Sequence, residues 1–315
     1  MIDGGDGGGG LYHGIEIGGT KLQVFSGHDA TRVTERHRFR VEASSGGAGI
    51  RAQLERIIPA LAKRVRPTAV GVGFGGPVDW KTGRICRSHQ IEGWSDFPLA
   101  SWLSSLAQAP VFVDNDANLG ALGEAAAGAG AGFNPVFYVT LGSGVGGGLV
   151  VDGKVYHGAP PGESEIGHFR LDRSGTLLES RCSGWAVDAK IRAAAARNPN
   201  SALARCVGTA SAHEAKFLSA ALLRKDPLAA AILEETAEDL AFGLSHVAHL
   251  FHPAIIVLGG GLSLVGEPWR AAVERLMPRF IMEAFAPGPR IALARLAEDS
   301  VPIGALCLAL AQPPG

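Results

Sequence analysis

Short apolar runs broken by glycine alternate along this chain with longer stretches in which apolar residues recur every three or four positions. Ile15-Glu16-Ile17 and Leu22-Gln23-Val24-Phe25 flank Gly18-Gly19-Thr20-Lys21, which predicts two strands around a tight glycine turn. Ile50, Leu54, Ile57, Ile58, Leu61 and Val65 fall at helical spacing, with Pro59 expected to kink that helix. Residues 69–74 and 110–113 are β-like runs, the second leading into a Gly/Ala-rich helix. Residues 135–140 predict a strand, and 149–151 with 154–156 a hairpin on the Asp152-Gly153 turn. Leu228, Ile232, Leu240, Leu244, Val247 and Leu250 mark a long helix over 227–251, followed by a buried strand over 254–258 that ends in Gly259-Gly260-Gly261. A helix near 269–282, a strand over 290–294 and a last helix over 301–310 complete an alternating α/β pattern.

Strand–glycine turn–strand units occur at Gly18-Gly19 and again at 142–148. This approximate duplication predicts two related lobes facing each other. Residues 1–10 read as a floppy tail, 11–118 as the first lobe and 119–299 as the second, with the boundary where the Ala/Gly-rich run to Gly132 begins.

Composition narrows the function classes. A formal charge of −1 with 19% charged residues gives no electrostatic case for nucleic acid or an anionic membrane. No apolar run reaches the ~18 residues of a spanning helix. The first ten residues lack the basic and apolar regions of a secretory signal. Cys86, Cys182, Cys206 and Cys307 form no Cys-x-x-Cys pair, so they read as reduced, buried thiols of a cytoplasmic protein, without zinc spacing.

The 44 glycines cluster between apolar runs, at 14–19, 71–76, 142–148 and 259–261. Such loops let backbone N–H groups approach phosphate. Gly142-x-Gly144-x-x-Gly147 and Gly71-x-Gly73-x-x-Gly76 match the dinucleotide fingerprint, but extended segments follow both where that motif needs a helix. They are therefore decoys for a nicotinamide enzyme, while a phosphate-cradling or plain hairpin role stays open. Glu16, Thr20 and Lys21 beside the first glycine turn could hold Mg²⁺ through water, bond a phosphate oxygen and neutralise charge.

Asp114-Asn115-Asp116-Ala117-Asn118 ends the strand at 110–113 in two carboxylates and two carboxamides. One Asp is expected to take part in chemistry and the other to stabilise the turn or a metal shell. A helix N-cap is expected for at least one of the four polar residues. Glu163, Glu165 and His168 form a third polar knot, suited to recognising sugar hydroxyls.

Taken in order, Glu16-Ile-Gly-Gly-Thr-Lys21, Gly75-Gly76-Pro77, Asp114-Asn-Asp-Ala-Asn118, Thr140-Leu-Gly-Ser-Gly-Val-Gly-Gly-Gly148, Glu165-Ile-Gly-His168 and Gly259-Gly-Gly-Leu-Ser263 resemble the ROK family of bacterial sugar kinases and repressors, from Leu11 to the final helix. The resemblance implies the actin-like ATPase (ribonuclease H-like) fold: two lobes, each a mixed sheet flanked by helices, the last helix (300–312) completing the first lobe, with the active site in the cleft. It implies glucokinase- or fructokinase-like transfer from ATP–Mg²⁺ to a hexose. Asp116 matches the catalytic base, and Gly75, Gly76, Gln90, Asn115, Glu165 and His168 match the sugar site. Glu16, Gly18, Gly19, Thr20, Lys21, Thr140, Gly142, Ser143 and Gly144 match the phosphate loops, and Gly260 and Gly261 the nucleoside site. A homodimer in the cytoplasm is implied too. Glucose is the default acceptor, with fructose, mannose and N-acetylmannosamine as alternatives and polyphosphate as another possible donor.

Three departures stand out. Glu16 replaces the usual Asp, as in the fructokinase branch, and Gln90 stands where Asn is usual. Many members bind zinc through the His of the Glu-x-Gly-His motif and three cysteines; the stretch here, 178–186, holds only Cys182. One thiolate and one imidazole do not complete a tetrahedral site, so no structural zinc is expected and no metal ligand is assigned. The second sugar-binding Glu of that run has no clear counterpart. The competing reading is a non-catalytic, sugar-responsive regulator of the same family. Family repressors carry a DNA-binding domain of roughly 60–80 residues ahead of the first phosphate loop, and only about ten residues precede it here, which favours the kinase.

Overall fold

The computed structural model describes residues 10–19, 21–86, 92–162 and 164–311. The chain divides into two compact units: one runs up to Ala127 and includes the segment from Tyr156 and the chain from Asp299, and the other holds 128–155 and 164–298.

In the first unit, β1 (Tyr12–Ile17), β2 (Lys21–Gly27) and β3 (Glu35–Arg40) pair antiparallel. β4 (Ala69–Phe74) joins β1 in parallel, and β7 (Val111–Asn115) joins β4, for the order β3-β2-β1-β4-β7. A small hairpin, β5 (Val78–Asp79) with β6 (Arg84–Ile85), follows β4. β3 carries Arg36, His37, Arg38 and Arg40 along an edge of the sheet. Charge there discourages pairing with another chain, and it hides the strand from a hydropathy reading. α1 (Gly46–Arg64) buries Ile50, Leu54, Ile58 and Leu61 and continues past Pro59 for a further turn. α2 (Leu99–Ala107) buries Leu99 and Leu103.

Asp116 opens α3 (Asp116–Ala127), so the helix crosses position 118 and the division between the units falls after Ala127. Its partner is the final helix α10 (Ser300–Leu310), which also packs on β1 and β4. Contact is at backbone distance. A Cβ at Gly304 would lie 2.6 Å from the carbonyl carbon of Leu119, and one at Gly71 would lie 2.8 Å from that of Ala305. The Gly71-x-Gly73 pair thus answers a packing requirement, which is why that fingerprint is a decoy.

The second unit repeats the plan. β8 (Val136–Leu141), β9 (Val145–Val151) and β10 (Lys154–Val155) are antiparallel, while β11 (Ile255–Gly259) and β12 (Arg290–Leu293) run parallel to β8, in the order β10-β9-β8-β11-β12. Short helices α4 (Leu178–Cys182), α6 (Ala202–Val207) and α7 (Leu218–Leu223) and the longer α5 (Gly184–Arg197) surround α8 (Pro227–Phe251). Asp226 caps α8 through the amides of Leu228 and Ala229 and also accepts from the amide of Leu203. α5 to α7 have few apolar repeats, and sequence periodicity misses them. α9 (Glu267–Leu276) stops short of 282, giving way to a 3-10 turn, Met277–Arg279, at Pro278.

The four cysteines form no disulfide, but only Cys182 is buried and Cys86 is exposed, which corrects the expectation of four buried thiols. Among the described residues no helix is long and apolar enough to cross a membrane.

Candidate functional site

In the first unit three strands deliver chemistry to one end of a sheet. The parallel registers Glu16↔Gly73↔Asp114 and Ile17↔Phe74↔Asn115 align the carboxyl ends of β1, β4 and β7. Open α/β sheets bind ligands at such ends, because the loops there leave backbone groups unpaired. A Cβ added to Gly75 would lie 3.3 Å from Asp116 Oδ2 and 3.5 Å from the Cα of Gly18. The first glycine turn, Gly75 and Asp116 therefore meet, and a side chain at Gly75 would press on the carboxylate.

The two aspartates differ in burial. Asp114, 2% exposed at its side chain, accepts from the Asn115 amide (2.7 Å) and Asn118 Nδ2 (2.9 Å) at Oδ1, and from His157 Nε2 (2.7 Å) at Oδ2. Its lone pairs are engaged, and it is a structural carboxylate. Asp116 is half-buried at the first position of α3, where the amides of a helix N-terminus favour negative charge. Asn115 is the helix cap: its Oδ1 accepts from the amides of Ala117 (2.8 Å) and Asn118 (3.3 Å), and its Nδ2 donates to the Gly76 carbonyl (3.2 Å).

Glu16 is 9% exposed and takes Lys21 Nζ (3.1 Å) and Gln23 Nε2 on a single oxygen, Oε2. Oε1 carries no hydrogen bond among the described residues. One hard carboxylate oxygen, completed by water and phosphate oxygens, is a donor set that Mg²⁺ accepts.

In the second unit Thr140, Gly142, Ser143 and Gly144 lie at the end of β8 and the turn into β9. Gly142 accepts from the Gly184 amide at the start of α5 (2.7 Å), and the amide of Val145 donates to Glu179 Oε2 (2.8 Å). Gly260, at φ +77, lies against Leu141, where a Cβ would come within 2.5 Å of the backbone nitrogen. Gly142 and Gly261 differ: neither has a left-handed backbone, and a Cβ on either would meet nothing within 4 Å. Packing does not require glycine at these two positions, and the space beside their Cα atoms is open.

Ile166–His168 is a 3-10 turn against β9, with Glu165 at its cap position; Glu165 and His168 are exposed. The expected site residues thus form two groups. Glu16, Gly18, Gly19, Lys21, Gly75, Gly76, Asn115 and Asp116 belong to the first unit, and Thr140, Gly142, Ser143, Gly144, Glu165, His168, Gly260 and Gly261 to the second. Thr20, Gln90 and Glu163 lie outside the described residues. The residues expected to carry zinc in relatives do not fit that ion here. Cys182 Sγ faces the Thr236 carbonyl (3.6 Å), and burial pushes its thiol pKa well up, against the thiolate that zinc requires. Arg181 on the same turn pairs with Asp239 (2.9 Å) and Glu235, tying α4 to α8. Glu179, His157 and Trp80 escape sequence reasoning, because only the fold brings them to the loops they touch.

Comparison with known proteins agrees with this architecture. The ROK family model matches residues 12–312. The glucokinase of Halalkalibacterium halodurans is 30% identical over 310 residues, covering 93% of this chain and 93% of that one. The solved structure of a ROK family glucokinase from Streptomyces griseus, in complex with glucose and AMPPNP, superposes with a TM-score of 0.84 at 28% identity, covering 96% of this chain and 100% of that one. The ROK hexokinase from Thermus thermophilus gives a TM-score of 0.76 at 27% identity, over 95% and 98%. The fold is therefore the actin-like ATPase fold of the ROK sugar kinases. A match that starts at the first residue of β1 and ends beyond α10 leaves no described element outside it: this chain belongs to the ROK family.

Proposed function

We propose that this chain transfers the γ-phosphoryl group of ATP to a hydroxyl of a hexose, glucose first among the acceptors, with Asp116 as the general base. The chain is a sugar kinase, and the ATP analogue and glucose bound by the Streptomyces griseus relative support the donor and the acceptor. The observation that carries the base assignment is position: Asp116 is half-buried at the first residue of α3, with its Oδ2 beside Gly75 and the first glycine turn, whereas Asp114 is fully buried beneath it.

Asp116 would take the proton of the attacking hydroxyl as the bond to phosphorus forms. Asn115, with one amide proton left among its described contacts, would donate to a sugar hydroxyl, as would His168, while Glu165 would accept. The open space beside Gly142 and Gly261 would admit phosphate and nucleoside. Mg²⁺, bound through water to Glu16, would supply charge neutralisation to the phosphates, with Lys21 beside it.

The test is ADP release coupled to a dye, measured over a hexose panel for the wild type and Asp116→Asn. We expect one hexose to stimulate release and the variant to lose about 10²–10⁴-fold in kcat, the usual contribution of a general base. A sugar-independent wild type would overturn the kinase reading. A variant as fast as wild type would overturn the base assignment alone.

A further inference from the structure

The chain leaves β10 at Val155, and the segment that follows belongs to the first unit before the chain re-enters the second at Ser164. This strap is fastened at both ends to the polar cluster that precedes α3. At its start, the Nε2–H of His157 donates to Asp114 Oδ2 at 2.7 Å, and the ring stacks on Trp80 with centroids 4.2 Å apart and planes 15° from parallel. At its end, the Gly162 carbonyl accepts from Asn118 Nδ2 at 3.2 Å, while the same amide donates to Asp114 Oδ1 at 2.9 Å. Strap, strand end and first helical turn share one hydrogen-bonded network centred on Asp114.

A carboxyl group this deeply buried is tolerated only when its oxygens are bonded. His157 supplies the partner on the side that the helix does not reach. With Oδ2 engaged by the imidazole, Oδ1 is aimed at the Asn115 amide and at Asn118. Asn115 in turn caps the amides of Ala117 and Asn118. Asp116 lies between the two bonded residues, and the direction of its carboxylate follows from how that first turn is held.

We propose that His157 is a positioning residue: through Asp114 it sets the first turn of α3 and thereby the orientation of the Asp116 carboxylate. The inference rests on Asp116 being the base. Trp80 supports it by stacking on one face of the ring, keeping the imidazole in the plane in which its edge meets Asp114.

His157→Ala, His157→Gln and Trp80→Phe test this. Gln places an amide N–H near the position of the lost Nε2–H, so it separates loss of the bond from loss of bulk. Three readouts are needed on the full chain: kcat and KM in the ADP-release assay, hydrogen exchange of the amides at 115–118, and thermal unfolding. His157→Ala is expected to lower kcat about tenfold or more, the sensitivity of an oriented reaction to a small misplacement. KM for ATP should stay within about twofold, since uniform binding is untouched. Exchange at 115–118 should rise about tenfold, the weight of one charge-assisted hydrogen bond. His157→Gln should recover most of both losses, and Trp80→Phe should fall between.

Wild-type kcat and exchange in His157→Ala would overturn the proposal. So would a kcat loss that Gln leaves unrepaired, or one accompanied by equal exchange gains throughout the first unit, which would mark a merely structural role. If the wild type itself shows no sugar-dependent ADP release, the kinase reading fails, and the exchange arm still decides whether His157 orders the start of α3.

Discussion

Replacing Gly304 by alanine tests whether backbone contact between α10 and α3 holds the first unit together. An alanine Cβ there would sit 2.6 Å from the Leu119 carbonyl carbon and 2.9 Å from its Cα, where ordinary contact begins at 3.4 Å. The obstacle is backbone, so no side chain can rotate away. To clear the carbonyl carbon alone, α10 must retreat by about 0.8 Å, from 2.6 to 3.4 Å, and the Leu119 carbonyl oxygen lies closer still. Two effects oppose each other. Alanine in a helix interior is favoured over glycine by about 1 kcal/mol, and overpacking of a rigid contact costs about 1–3 kcal/mol. The strain should win, because the reciprocal approach at Gly123, with a Cβ 2.9 Å from the Gly304 nitrogen, removes the room for relaxation. A net loss of up to about 2 kcal/mol corresponds to up to about 8 °C in Tm for a unit of this size, read by circular dichroism. Gly142→Ala is the matched control. Its Cβ meets nothing within 4 Å, so stability should hold within about 0.5 kcal/mol. Affinity for AMPPNP should fall, because a methyl group would enter the space assigned to phosphate. A Gly304→Ala protein as stable as wild type, or a Gly142→Ala protein equally destabilised, would refute this division of the glycines.

Asp226→Ala should cost about 1–2 kcal/mol as a lost helix cap, measured by urea unfolding. Burial raises the pKa of Asp226, but amide hydrogen bonds from Leu203, Ala229 and Leu228 outweigh it and leave the carboxyl below its ordinary value. A depressed folded-state pKa stabilises the fold above the unfolded carboxylate range near pH 3.9 and is lost as pH falls through the folded value. The stability gap between wild type and variant should therefore be constant from pH 7 to 5 and close below about pH 4. Thiol titration of the native protein should label Cys86 first and leave Cys182 unreacted until unfolding, since burial raises the Cys182 thiol and lifts that of Cys307 to about 11. Stoichiometric zinc by metal analysis, or a Tm lowered by chelators, would contradict the structural role given to Cys182.

Much of this protein is legible in its residue order. Apolar runs ending in glycine or aspartate locate β1, β4, β7, β8 and β11, because a buried parallel strand needs continuous apolar residues and its end needs groups that can face a ligand. The ordered motifs also name the family. The charged edge strand β3 and the alanine-rich α5 to α7 were not legible, since neither carries an apolar period. Nor could sequence rank Asp114 against Asp116: both are aspartates beside a helix start, and only their partners differ. Those partners come from distant stretches. His157 lies 43 residues from Asp114, and Trp80 reaches the same ring from the hairpin after β4. Sequence alone determined the buried central strands, the glycine loops and the family, because these depend on local periodicity and on ordered motifs. The tertiary structure alone decided that Asp114 is the buried carboxylate tied to distant residues and which glycines serve packing, because burial and hydrogen bonding are properties of residues brought together by the fold.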